Sequence, residues 1–201
     1  MPALNRPTRS LLNLAAACVI LPGMLLPTVA VAESTPVHEI NGCGLWPYTR
    51  CQGADLRHAD LVGRNLAGAD LRGANLARAD LRGANLAGAN LEGADLSGAR
   101  LNKVNAPVAI FRHARLVGAD LEAARLMRSD FTGADFTAAH LEIANLNHAR
   151  LRNARLVSAD LQEAKLQGAE LVGTNMEGAL KRFTNFNDAY MKDCTGCPLD
   201  W

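Results

Sequence analysis

The chain has 201 residues, with 21 Lys+Arg against 20 Asp+Glu and a formal net charge of +1. It is 49% hydrophobic but only 4% aromatic. The charge balance excludes proteins that act through a strong field of one sign, whether general polyanion binders or mimics of a polyanion. With few Phe, Tyr and Trp, which usually carry much of a core's buried area, the core has to be Leu and Ala.

Residues 1–32 have the layout of an export signal. Arg6 and Arg9 form a basic start, an apolar stretch runs from Leu11 to about Leu26, and Ala30-Val31-Ala32 offers a cleavage site before Glu33. An uncleaved membrane anchor is disfavoured because Asn13, Pro22, Gly23 and Pro27 interrupt the stretch. A lipid-modified Cys18 is disfavoured because most of the apolar run follows it. The expected mature protein is therefore periplasmic or secreted, without a stable membrane span. It keeps 19 basic and 20 acidic residues, and four cysteines: Cys43, Cys51, Cys194 and Cys197. An even number in an exported chain favours disulfides over free thiols.

Residues 33–53, with Asn41-Gly42, Trp46, Pro47 and Tyr48, read as an N-terminal cap. From Ala54 to Asp193 the sequence then repeats every five residues without insertion, which makes 28 units. Of the 28 unit centres (56, 61, 66 and onward to 191), 20 are Leu, four Phe and two Met; Ala106 and Lys181 are the exceptions. Two residues before the centre, 23 positions are Ala; the others are Arg64, Val104, Ser129, Thr174 and Thr184. Residues 194–201, Cys-Thr-Gly-Cys-Pro-Leu-Asp-Trp, read as a C-terminal cap.

No ordinary element buries a period of five. On a helix successive centres would wind round the axis, and on a straight strand they would alternate between faces. A short extended segment followed by a corner of roughly 90° does bury it, because the centre and the residue two before it then share the inner face. Four units close a square coil of 20 residues, and 28 units make seven coils. At about 4.8 Å per coil the stack is roughly 34 Å long.

The A-(D/N)-L-x-x units resemble the pentapeptide repeat family. That resemblance implies an all-β, right-handed quadrilateral β-helix, and it covers residues 54–193. It says less about function. Some members of the family mimic DNA and bind topoisomerases, but those are acidic cytoplasmic rods; this chain is near-neutral and carries an export signal. No nucleic-acid partner is expected. On a rod of this length the cysteine pairs sit at opposite ends, beyond the roughly 7 Å reach of a disulfide. The pairing expected is Cys43–Cys51 and Cys194–Cys197. The same separation rules out a four-cysteine metal site within one chain.

Irregular units carry further expectations. Pro107 cannot donate to a ladder, so a local bulge is expected there. Lys181 at an inward position points to local loss of the coil near the C-terminal end, and Arg64 is expected to turn outward. Phe111 and Phe131 should stack one coil apart, with Phe136 at the next corner. The outer-wall aspartates are expected to ionise normally.

Catalytic chemistry is not signalled. His58, His113, His140 and His148 fall on four different faces, so no metal centre is expected. No nucleotide fingerprint or nucleophile elbow is present, and no cofactor is expected. Cys194 and Cys197 have redox spacing, so a thiol-exchange site is an alternative to a structural clip. The leading reading is a non-catalytic scaffold for an unknown protein or an anionic envelope component. One wall, Asn65, Asn85, Asn105, Arg125, Asn145, Lys165 and Asn185, contains no acid. Arg125, Arg128 and Lys165 on and beside it are the candidate binding residues, against an alternative of a plain asparagine ladder.

Overall fold

The computed structural model describes residues 39–198. The signal assigned to residues 1–32, the first part of the proposed cap and the final residues lie outside them. No helix occurs among the described residues. Each fifth residue instead forms a parallel bridge to the residue 20 positions on, from Arg50 with Asp70 to Asn175 with Thr195. Four columns of bridges make four walls, named here after their first members Arg50, Asp55, Asp60 and Asn65. The protein is a right-handed quadrilateral β-helix.

The corner explains the period. The carbonyl of nearly every centre accepts the N–H three residues later, as in Leu121 with Ala124 at 3.0 Å. Of the two residues between, only the second has positive φ, the signature of a type II turn. Every fifth position from Tyr48 to Asp193 adopts it, including the β-branched Val108 and Ile143 at φ 59°. Gly suits these sites because it lacks the Cβ that left-handed backbone crowds. The stack thus imposes the conformation even where the residue resists it.

Between corners, three hydrogen bonds per side tie one coil to the next. Leu121 donates to His140, Ala123 donates to Glu142, and Asp120 donates to Ala99, at 2.7–2.9 Å. The N–H of the residue just after each centre is left out of this ladder. An Asp or Asn two residues earlier accepts it instead, as Asn145 Oδ1 does from Asn147 at 3.1 Å and Asp160 Oδ1 from Gln162 at 3.0 Å. That accounts for the Asp/Asn preference before the centre better than wall polarity alone.

It also corrects the expectation at Pro107. Pro107 occupies the position with no ladder N–H, where its fixed φ suits the first turn residue. The bridges from Asn85 to Asn105 and on to Arg125 run through without a bulge. The irregularity lies in the hydroxyl of buried Ser129, which donates to the Ala106 carbonyl at 2.6 Å and accepts the Ala109 N–H at 3.2 Å. Thr174 and Thr184, at equivalent positions, donate to the Leu151 and Leu161 carbonyls. Three of the five departures from Ala therefore make the same contact.

The expected loss of coil at Lys181 is also corrected. Bridges continue past it, from Asp160 to Leu180, Lys165 to Asn185 and Glu170 to Tyr190. Lys181 sits in the last coil, half-buried, and its Nζ donates to the Met176 carbonyl at 3.5 Å. A charge is affordable there because the solenoid's end keeps it near water. Arg64 is likewise partly exposed in the first coil.

The core is a stack of leucines and alanines that are almost all fully buried. Phe111 and Phe131 stack with ring centroids 4.7 Å apart, and Phe136 lies tilted 5.0 Å from Phe131. At the N-terminal end a hairpin pairs β1 (Glu39–Ile40) with β2 (Cys43–Gly44) through Asn41-Gly42. Asn41 donates its side-chain amide to the Asp55 carbonyl at 2.7 Å, covering one unpaired group of the exposed edge. The coil ladder already includes Tyr48, Cys51 and Gly53, ahead of the first regular unit. Cys43 pairs with Cys51, and Cys194 with Cys197, at Cα separations of 5.2 and 5.8 Å. Cys197 packs on Met176, with its sulfur 3.7 Å away. Gly196 fits only as glycine, because a Cβ there would lie 2.8 Å from the Met176 backbone.

Candidate functional site

The walls differ in how their charges are used. On three of them, arginines close onto carboxylates. Arg57, Arg72 and Arg82 each reach back two residues and grip Asp55, Asp70 and Asp80 through both Nε and Nη2. Vertical pairs also form between Arg100 and Asp80 at 3.1 Å and between Arg155 and Asp135 at 4.0 Å. The nearer partner is more often the arginine in the same unit, because a side chain just after the centre leaves the same side of the same coil.

These contacts overturn the expectation of ordinary carboxylates. The side-chain hydrogen bond from Arg57 lowers Asp55 to about 2, and that from Arg72 lowers Asp70 to about 2. Asp80 is lowered chiefly by its bond from Arg82. Groups depressed in the folded state stabilise it fully above their unfolded values near 4 and lose that effect as pH falls. Thermal stability should therefore be flat from neutral pH down to about pH 4 and decline from there towards pH 2. A decline already complete above pH 4 in a melting series would contradict these pairings.

The Asn65 wall behaves otherwise. Asn85 donates to Asn65 at 3.0 Å and Asn105 to Asn85 at 3.2 Å, so an asparagine ladder does form over the first three coils. Arg125 then ends it. Arg125, Arg128 and Lys165 are all exposed, and among the described residues none makes an ion pair. Arg125 and Lys165 lie two coils apart in one column, and Arg128 stands on the following corner. Beside Arg128 the exposed side chains of Met127 and Val108 add a small apolar spot.

Around that corner, the Arg50 wall holds a cluster missed in the sequence. Arg112, Asp130, Thr132, Arg150, Arg152 and Glu170 line an open groove of about 570 Å³. Asp130 is its buried anchor, with a side chain 8% exposed. Its carboxylate accepts from the Thr132 N–H at 3.1 Å, the Thr132 hydroxyl at 2.7 Å and Arg112 Nε at 2.7 Å. Burial opposes ionisation here, yet the bonds from Thr132 and Arg112 hold the carboxyl below its usual range. Arg150 approaches the same carboxylate at 3.9 Å, and Arg152 Nε donates to Glu170 at 2.7 Å. The signal was present but divided: Arg150 belongs to the bridge column, Arg112 and Arg152 to the column just after the centres. His113 lies over Gly133 at the edge of the groove.

The remaining candidates stay apart. His58, His113, His140 and His148 sit on four different corners or walls, and the two cysteine pairs are at opposite ends of the bridge ladder.

No curated protein matches the chain. Among solved structures, trypsin-treated QnrB1, a plasmid-mediated fluoroquinolone resistance protein, is similar at 19% identity and a TM-score of 0.35, covering 74% of this chain and 80% of that one. HetL from the cyanobacterium Nostoc sp. strain PCC 7120, a pentapeptide repeat protein involved in heterocyst differentiation regulation, is 28% identical over 74% of this chain and 87% of its own, with a TM-score of 0.25. A pentapeptide repeat protein of the Arabidopsis thaliana thylakoid lumen is 27% identical over 55% of this chain and 68% of its own, with a TM-score of 0.26. The sequence profile of pentapeptide repeats matches eight copies, over residues 49–86, 65–102, 109–142 and 144–180. The match spans more than half of the chain, which therefore belongs to the pentapeptide repeat family.

Proposed function

We propose that this protein is an exported, non-catalytic binding module whose Asn65 wall meets an anionic partner in the cell envelope. One observation carries the reading: the seven bridge positions of that wall hold two bases and no acid, while carboxylates occupy all three other walls. Arg125 and Lys165 on it and Arg128 at its corner make no ion pair among the described residues, so their charge is available to a partner. Export is supported by the layout of residues 1–32 and by paired cysteines at both ends.

A DNA-mimicking role would need a one-sign acidic surface, which the interleaved arginines cancel. A thiol-exchange role would centre on Cys194 and Cys197; the packing of Cys197 against Met176 supports a clip instead. Replacing Arg125, Arg128 and Lys165 together by Gln should weaken binding to an anionic glycan and reduce its salt sensitivity. The melting temperature should stay within a degree or two, because exposed charges without partners contribute little to stability. Unchanged binding by a folded variant would remove the wall from consideration.

A further inference from the structure

The groove on the Arg50 wall uses its arginines differently from the rest of the surface. Arg57, Arg72 and Arg82 spend Nε and an Nη on one carboxylate, which closes the guanidinium fork. Arg112 and Arg152 are held through Nε alone, to Asp130 and Glu170. Among the described residues their Nη groups make no hydrogen bond, and Arg150 reaches Asp130 only at 3.9 Å. Each fork is thus oriented by a carboxylate behind it and left open in front.

Placement adds to this. Residues 112, 132 and 152 are vertical neighbours in successive coils, so Arg112 and Arg152 flank Thr132 at a separation of roughly 10 Å between their backbones. Arg150 enters from the adjoining bridge column. Arg112 and Arg152 both reach one coil onward, to Asp130 and Glu170, and all three arginines line the same groove. The two carboxylates facing it are already engaged. Asp130 is buried with both oxygens hydrogen-bonded, and Glu170 holds Arg152. Among the lining side chains three arginines stand against two carboxylates, an excess of positive charge, with Glu92 acting on Arg112 from the preceding coil.

We propose that this groove binds a tetrahedral oxyanion, a phosphate or sulfate group, through the outward Nη atoms of Arg112, Arg150 and Arg152. Guanidinium forks match such oxygens in pairs. A tetrahedral group offers three or four oxygens to donors on three side chains, whereas a planar carboxylate offers two. The site is separate from Arg125, Arg128 and Lys165 and does not depend on their role.

The test is calorimetric titration of the full chain with inorganic phosphate, alongside vesicles of phosphatidylcholine containing phosphatidic acid. Saturable phosphate binding is expected, weakened about tenfold or more in Arg112→Gln/Arg152→Gln and several-fold in Arg150→Gln. Arg57→Gln/Arg72→Gln, which removes two closed forks elsewhere, should leave the affinity within about twofold, as should the Gln variant of Arg125, Arg128 and Lys165. Should the Arg112/Arg152 variant fail to fold, Arg150→Gln carries the test, since Arg150 is no anchor of Asp130. Vesicle binding displaced by phosphate identifies a headgroup as the source; phosphate binding without vesicle binding identifies a free or soluble ester. No saturation by either probe, or equal affinity in the Arg112/Arg152, Arg150 and Arg57/Arg72 variants, overturns the proposal.

Discussion

Phe131→Ala should cost about 3–5 kcal/mol and give the largest loss of any single truncation in the core. Phe131 is fully buried at mid-solenoid and touches two other rings, Phe111 below it and Phe136 beside it. Both coils adjoining the gap are held by complete ladders, so the walls cannot collapse inward to refill it. Coil stability in a solenoid is shared only with nearest neighbours. A cavity in the middle therefore weakens two interfaces at once, where the same change in the last coil weakens one. Combining it with Phe111→Leu should fall short of additivity by about 0.5–1.5 kcal/mol, the worth of the stacked pair. Chemical denaturation monitored by circular dichroism measures both. A loss under about 1 kcal/mol would show that the neighbouring leucines do close the space.

Replacing Cys43 and Cys51 by Ser should cost about 2–3 kcal/mol, from the loop the bridge closes across eight residues of separation. The damage should be local. Cys51 occupies a centre position, and its N–H donates to Asp70 while that of Gly53 donates to Arg72, both in the next coil. Freed from Cys43, the β1–β2 hairpin would release Asn41 from the Asp55 carbonyl, and the first edge would open. Amide exchange should speed up at positions 51 and 53 in this Ser variant and stay unchanged at Leu121 and Ala123. Uniform acceleration along the chain would mean that the end bridge supports the whole stack.

The architecture was legible because a period of five admits few geometries, and small Ala at 23 of 28 positions left no room for others. What misled at Pro107 and Lys181 was treating all positions of a unit alike. The N–H missing at Pro107 has no ladder partner in any unit, and the charge of Lys181 is tolerated only because it lies in the last coil. Aspartate ionisation departs from the ordinary for a related reason: the arginine two residues on in the same unit lies within hydrogen-bonding reach. Arg112, Arg150 and Arg152 escaped notice because their convergence depends on Asp130, whose burial no column of the sequence reveals.

The ladder also has a mechanical meaning. Its inter-coil hydrogen bonds run along the solenoid axis, three to a side, so a pull on the two ends loads one interface at a time instead of shearing many together. Each coil of 20 residues that peels away would release roughly 65 Å of chain, in steps of nearly equal size at modest force. The two end bridges sit where such peeling would begin. Cys43–Cys51 ties the cap to the first coil and Cys194–Cys197 closes a short loop in the tail, so in an oxidising environment the pull passes across those loops without extending them and falls directly on the first and last coils.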